Sequence, residues 1–161
     1  QNEYKRYTIL TASIFLLLIL GAWVSSSPNT NQGCSIGFPD GWPKCQGEIL
    51  PSLDNSGVLI QMVHRIGAGV VGIALILGVM KVKENVREQG VHNAYSKCLD
   101  TAVGFWLANV FVGGLYIVYA KMGDFPEGLS LLHLVLGVAS FLSASIGLML
   151  LRLSEEGAED E

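Results

Sequence analysis

Charge is scarce in this sequence. Only 15% of its 161 residues are Asp, Glu, Lys or Arg, half are apolar, and mean hydropathy is positive, whereas a water-soluble domain carries about a quarter charged residues. Carboxylates are scarcer still inside the apolar stretches. The acidic excess behind the net charge of −4 sits largely in the terminal run 155–161, and no Asp or Glu lies deep in an apolar run. That argues against a proton relay, which pairs membrane histidines with carboxylates. Cysteine is limited to three residues, and Cys34 and Cys45 have no nearby His or second thiol pair, which excludes a four-ligand zinc site. The small net charge says little about partners, and no nucleic-acid partner is expected.

What the sequence has instead is long apolar runs. Four of them, approximately 7–24, 58–80, 99–120 and 129–151, are each long enough for a bilayer core, which takes roughly 20 residues at about 1.5 Å each. The expected fold is therefore an all-α integral membrane protein: a four-transmembrane-helix bundle over residues 1–152, with a solvated, acidic, disordered tail at 153–161. The first run follows Lys5 and Arg6 as a signal peptide would. It is longer than the usual 7–15-residue cleavable segment and further spans follow it, so it is read as helix 1.

Basic residues set the orientation. Lys5, Arg6, Lys81, Lys83, Arg87, Lys97 and Arg152 fall on one side, and only Lys44, Arg65 and Lys121 on the other. By the positive-inside rule both termini and the middle loop are cytoplasmic, in a multi-pass cell-membrane protein. The short polar stretch 81–97 makes helices 2 and 3 antiparallel neighbours. His92 within it reads as a solvated loop residue, and Cys98 as a reduced, inert thiol at the cytoplasmic mouth of helix 3.

The outward loop between helices 1 and 2 is rich in Gly, Pro and turn residues over 33–47, which predicts a compact ordered loop. Trp23, Phe38 and Trp42 suit the membrane interface. Cys34 and Cys45 face an oxidising compartment where a disulfide persists. The pair is open to two roles, a structural staple contributing roughly 3 kcal/mol or a redox-active pair exchanging with an external dithiol.

Helix 2 contains Gly67-Ala-Gly69-Val-Val-Gly72, a literal match to the dinucleotide fingerprint. That motif requires a preceding strand and a helix opening after it. Inside a membrane span its small residues serve close approach of another helix or of a flat ring. In helix 3, Asn109 is the one deep polar residue, suited to an interhelical hydrogen bond, and Gly113 and Gly114 mark close packing.

His64 lies inside helix 2 and His133 inside helix 4. Both helices start at the outer face, so both imidazoles lie on the order of 8 Å below the helix starts at about 1.5 Å per residue. Gly67 and Ala68 follow His64 by one turn, and Gly137 follows His133. A porphyrin lying against a helix needs such a gap beside its axial ligand, because bulky i+3 or i+4 side chains would strike the ring. Two imidazoles at equal depth can clamp one haem iron from opposite sides.

The loop Cys34…Pro39-Asp…Trp42-Pro43-x-Cys45-x-Gly47, followed by Gln61-x-x-His64-Arg65 and a His in the next even-numbered helix, resembles one half of the heme A synthase family. Familiar members have eight helices in two similar halves; this chain is similar to the first half and to a compact four-helix archaeal form. The resemblance implies oxidation of a heme O methyl group to a formyl group, giving heme A for terminal oxidases. It implies haem as cofactor or substrate, with haem b a further candidate, held by His64 and His133 near the outer face. Arg65 would meet a propionate or act as a snorkelling interfacial cation. The membrane lipid, a heme O synthase and an external thiol–disulfide protein are implied partners. One haem site per half-sized chain suggests a homo-oligomer.

The chain departs from the family at Gln61, where members commonly carry Glu. A neutral amide keeps the hydrogen bonds and loses the charge, so this catalytic position is altered, and a compensating carboxylate would have to come from Glu48 or Asp54. The spacing between the two cysteines is also longer than is common in the family. A bis-histidine b-type electron-transfer protein would share the bundle and ligands without chemistry on the porphyrin.

Overall fold

The computed structural model describes residues 2–89 and 94–159. Its regular structure consists of four helices, α1 (Asn2–Ser26), α2 (Ser56–Gln89), α3 (Ala94–Val118) and α4 (Glu127–Glu159). All four contain stretches long and apolar enough to cross a membrane, so the chain is a multi-pass membrane bundle. His92 lies outside the described residues.

Every helix is longer than its apolar run. Helix formation does not stop where hydrocarbon ends, because residues such as Lys, Glu and Arg are good helix formers in water. Thus α2 continues through most of the stretch expected as a polar loop, and 153–159 is helical instead of a disordered tail. Arg152 and Glu156, one turn apart and bonded at 2.8 Å, support that extension.

The helices pack in a ring, each against its sequence neighbours, with α4 closing on α1. The pair α3/α4 is the most extensive contact, and the backbones of the diagonal pairs stay apart among the described residues. A ring without diagonal contacts must be filled by side chains or left hollow, and the two ends of the bundle differ in this. In the half nearer the termini, Tyr7, Leu10, Ile14, Leu75, Leu99 and Ala144 form a continuous buried core. The Tyr7 hydroxyl donates to the main-chain oxygen of Tyr95 at 3.2 Å, and Ser140 Oγ to that of Ala102 at 2.8 Å. Such interhelical bonds contribute about 0.6 kcal/mol each within a membrane. Glycines permit the close approach: a Cβ at Gly147 would run into the Tyr7 side chain, and one at Gly78 would lie 2.5 Å from Leu10. Outward-facing Ile9, Leu16, Ile73, Leu77 and Met149 are exposed, as lipid-facing positions are.

The segment between α1 and α2 folds over the opposite end of the ring. Cys34 and Cys45 are joined by a disulfide and pack with Val58 and Met62 of α2 in a small separate core. The close approach of the loop to α2 needs glycine on both sides, since a Cβ on Gly33 would run into the main chain of Gly57. Trp23 and Phe38 are exposed as interfacial aromatics would be. Trp42 is not: its indole lies over Gly114 of α3, where the missing side chain leaves a flat seat for it.

Candidate functional site

The loop-side half of the bundle is hollow. A cavity of about 830 Å³ lies between the four helices, roofed by Trp42 and Pro43 of the loop and floored by Leu17 and Trp106. It is of the size of ligand sites in general. The floor is rigid, because Trp106 is buried and its indole N–H donates to the main-chain oxygen of Ala68 at 3.2 Å. A Cβ on Gly72 would touch that same ring at 3.2 Å.

His64 from α2 and His133 from α4 both line this cavity. Their ring centroids are 6.4 Å apart and their planes nearly perpendicular, at 78°. Nδ1 of His133 lies 3.0 Å from the main-chain oxygen of Asn109. A carbonyl oxygen only accepts, so Nδ1 carries the proton, and Nε2 of the neutral ring keeps its lone pair. Gly113 makes room for this ring; a Cβ there would stand 2.8 Å from Cε1 of His133. His64 has no comparable support. Its Cε1 abuts Gly21, and its Nδ1 is buried without a hydrogen-bond partner among the described residues.

Arg65 turns from α2 toward the roof. Its Nη1 donates to the main-chain oxygens of Gly41 and Lys44, at 2.9 and 3.0 Å, and its Nε to Oε1 of Gln61 at 3.3 Å. Nη2 is buried without a hydrogen-bond partner among the described residues. Gln61, itself buried on the cavity wall, donates from Nε2 to the main-chain oxygen of Thr30 at 3.0 Å. The amide therefore bridges a donor and an acceptor, which a carboxylate could not do while ionised. Neither Glu48 nor Asp54 lines the cavity; Asp54 instead accepts from Ser52 at 2.5 Å.

Two of the small residues expected to make room for a flat ring do something else. The open faces of Gly67 and Gly137 meet Leu17 and Leu18 of α1, and Gly137 also meets the amide of Asn109; neither glycine lines the cavity, although Ala68 does. They serve helix packing, and the residues that thin the wall beside the imidazoles are Gly21 and Gly113. The interhelical bond expected from the Asn109 side chain is made by its main chain, while its Oδ1 is buried without a partner among the described residues. Glu127, in the first turn of α4, lines the cavity without having been singled out in the sequence. Among the described residues no three His, Cys, Asp or Glu side chains converge as a metal cluster.

No family model matches the chain, and no solved structure matches it. Curated relatives do. It is 28% identical over 146 residues to a heme A synthase of Lysinibacillus sphaericus, an alignment covering 88% of this chain and 43% of that protein. It is 27% identical over 147 residues to heme A synthases of Bacillus cereus and Bacillus anthracis, covering 89% of this chain and 42% of theirs. The chain thus spans less than half the length of the curated relatives it matches, and at this distance it is a chain similar to heme A synthases over nearly its whole extent.

Proposed function

We propose that this chain binds one haem between His64 and His133 and acts on it as the heme A synthases it resembles do, oxidising a heme O methyl group to a formyl group. The observation that carries the reading is the separation of the imidazoles. A histidine nitrogen sits about 2 Å from a bound transition metal and about 1 Å in front of its own ring centre, so two ligands opposed across one iron bring their centroids to roughly 6 Å. The measured 6.4 Å fits, as do the free lone pair on His133 and the ligand-sized cavity.

In this reading His64 and His133 hold the iron, and Nη2 of Arg65 offers a charged donor to a ring carboxylate. Trp42 and Pro43 cover the site from the loop side. The bound haem supplies iron redox chemistry, with a potential set by its ligands and burial. Homo-oligomerisation, heme O delivered by a heme O synthase, exchange of the Cys34–Cys45 pair with an external thiol–disulfide protein, and an outward-facing loop belong to the same proposal and rest on the resemblance and the charge pattern.

One observation favours a second reading, a bis-histidine electron carrier. Gln61 replaces the acid expected from the resemblance, and the acidic residue among the described cavity lining, Glu127, stands at the exposed start of α4. The test is haem extraction and mass analysis after expression with a heme O supply, for the chain and for Gln61→Glu, against empty membranes. Heme A or its hydroxylated precursor supports the enzyme. Haem b alone in both supports the carrier, and no haem in either refutes both.

A further inference from the structure

The segment that covers the cavity also covers the disulfide. Cys34 and Cys45 are 0% and 1% exposed, packed with Val58 and Met62 of α2. Thiol–disulfide exchange requires a thiolate to reach one of the two sulfurs, so a dithiol outside the protein has no path to this pair while the loop is closed.

A short set of bonds around the cysteines holds the loop in place. Gln46 Nε2 donates to the main-chain oxygen of Gly33, next to Cys34, at 3.0 Å, and the Cys45 N–H donates to the main-chain oxygen of Glu48 at 2.8 Å. Arg65 of α2 grips the oxygens of Gly41 and Lys44, the second of them next to Cys45. Between those two oxygens lie Trp42 and Pro43, which line the cavity, with the Trp42 indole seated on Gly114. Residues 41–45 thus carry the roof of the cavity at one end and a buried sulfur at the other. Lifting this segment uncovers both, and a ring that fills the cavity and rests against Trp42 and Pro43 keeps both covered.

We infer that occupancy of the cavity gates the disulfide: an external dithiol reduces Cys34–Cys45 in the empty chain, and a bound ring holds the loop shut and the pair oxidised. This rests on the haem reading above, which supplies the ring. In the exchange one thiolate of the dithiol attacks a cysteine sulfur, forming a mixed disulfide and releasing the other cysteine as thiolate. The second thiol of the dithiol then displaces the remaining cysteine and closes its own disulfide. The cysteines gain two electrons and two protons, and the dithiol loses them. A thiol–disulfide partner would thereby distinguish chains that await a ring from chains that hold one.

The test follows reduction of the purified, haem-stripped chain in detergent by a large excess of dithiothreitol under argon. Maleimide mass tagging counts the two thiols gained beyond Cys98, with and without iron protoporphyrin IX, whose binding is read from the Soret band. With the porphyrin at ten times its dissociation constant, reduction slows about ten-fold, because only the unoccupied fraction opens. In Trp42→Ala, at the same fractional saturation, most of this protection is lost; should that variant not fold, Pro43→Ala replaces it. Equal rates with and without bound porphyrin overturn the inference and leave haem binding standing. Protection kept in full by the folded variant also overturns it, since the effect would then belong to the whole bundle and not to the roof. Slowing of the chain unfolded in dodecyl sulfate overturns it too, as the porphyrin would be acting on the reagent. No Soret shift overturns the haem reading together with the gate.

Discussion

His133 donates through Nδ1 to the main-chain oxygen of Asn109 at 3.0 Å, whereas the corresponding nitrogen of His64, across the cavity, is buried without a partner among the described residues. The two imidazoles are therefore unequal. A ligand whose second nitrogen is bonded is oriented before the metal arrives, and loss of such support costs about 10–100-fold in metal affinity.

It follows that the two alanine substitutions differ. On the proposed haem reading, His64→Ala keeps the oriented ligand and would retain part of the haem, while His133→Ala leaves only the unsupported one and would retain about ten-fold less. The haem-to-protein ratio after purification measures this. Full haem content in both variants would remove the ligand assignment.

Gly113→Ala puts a Cβ 2.8 Å from the His133 ring, and the ring must turn away. Haem affinity falls by about ten-fold or more, the effect expected of a misdirected ligand. Gly69→Ala is the control. Its Cβ meets nothing within 4 Å, so haem binding is unchanged and the helix gains up to about 1 kcal/mol.

At Gln61 the bonding can be separated from the chemistry by thermal unfolding. Gln61→Leu leaves the Thr30 carbonyl and Arg65 Nε without their partner, costing about 1–3 kcal/mol. Gln61→Glu keeps the acceptor for Arg65 and adds opposite charge, so its melting temperature falls less. If the two variants melt alike, the charged contact with Arg65 does not outweigh the repulsion between the new carboxylate and the Thr30 carbonyl oxygen.

Reduction of the Cys34–Cys45 disulfide releases the loop from its staple, at a cost of about 2–4 kcal/mol. Although Arg65 still grips Gly41 and Lys44 inside the segment that the disulfide closes, the reduced protein is expected to be cleaved by protease within 34–47 before anywhere in the helices. Identical digestion with and without reductant would mean that the loop is held by its other contacts.

The four spans and the histidine pair were legible because composition and depth are properties of the chain itself. Which face of a helix meets which neighbour was not. In a membrane, lipid-facing and core-facing positions are both apolar, so Gly67 and Gly137, one turn from the histidines, could not be told apart by sequence from Gly21 and Gly113, which do face the rings. Trp42 is amphipathic enough for the interface; its seat on Gly114 depends on the fold of the loop. The main-chain bond from His133 to Asn109 left no side-chain signature at all.

The unequal pairing of the helices gives the site one cast jaw and one sliding jaw. His133, Asn109 and Gly113 belong to the extensively packed α3/α4 pair, while His64 rides on α2, which the loop tethers through Arg65. On the proposed haem reading, opening the vise to admit a flat ring would displace α2 and its tether, so the rate of capture would be governed by the irregular segment 27–55 between Ser26 and Ser56.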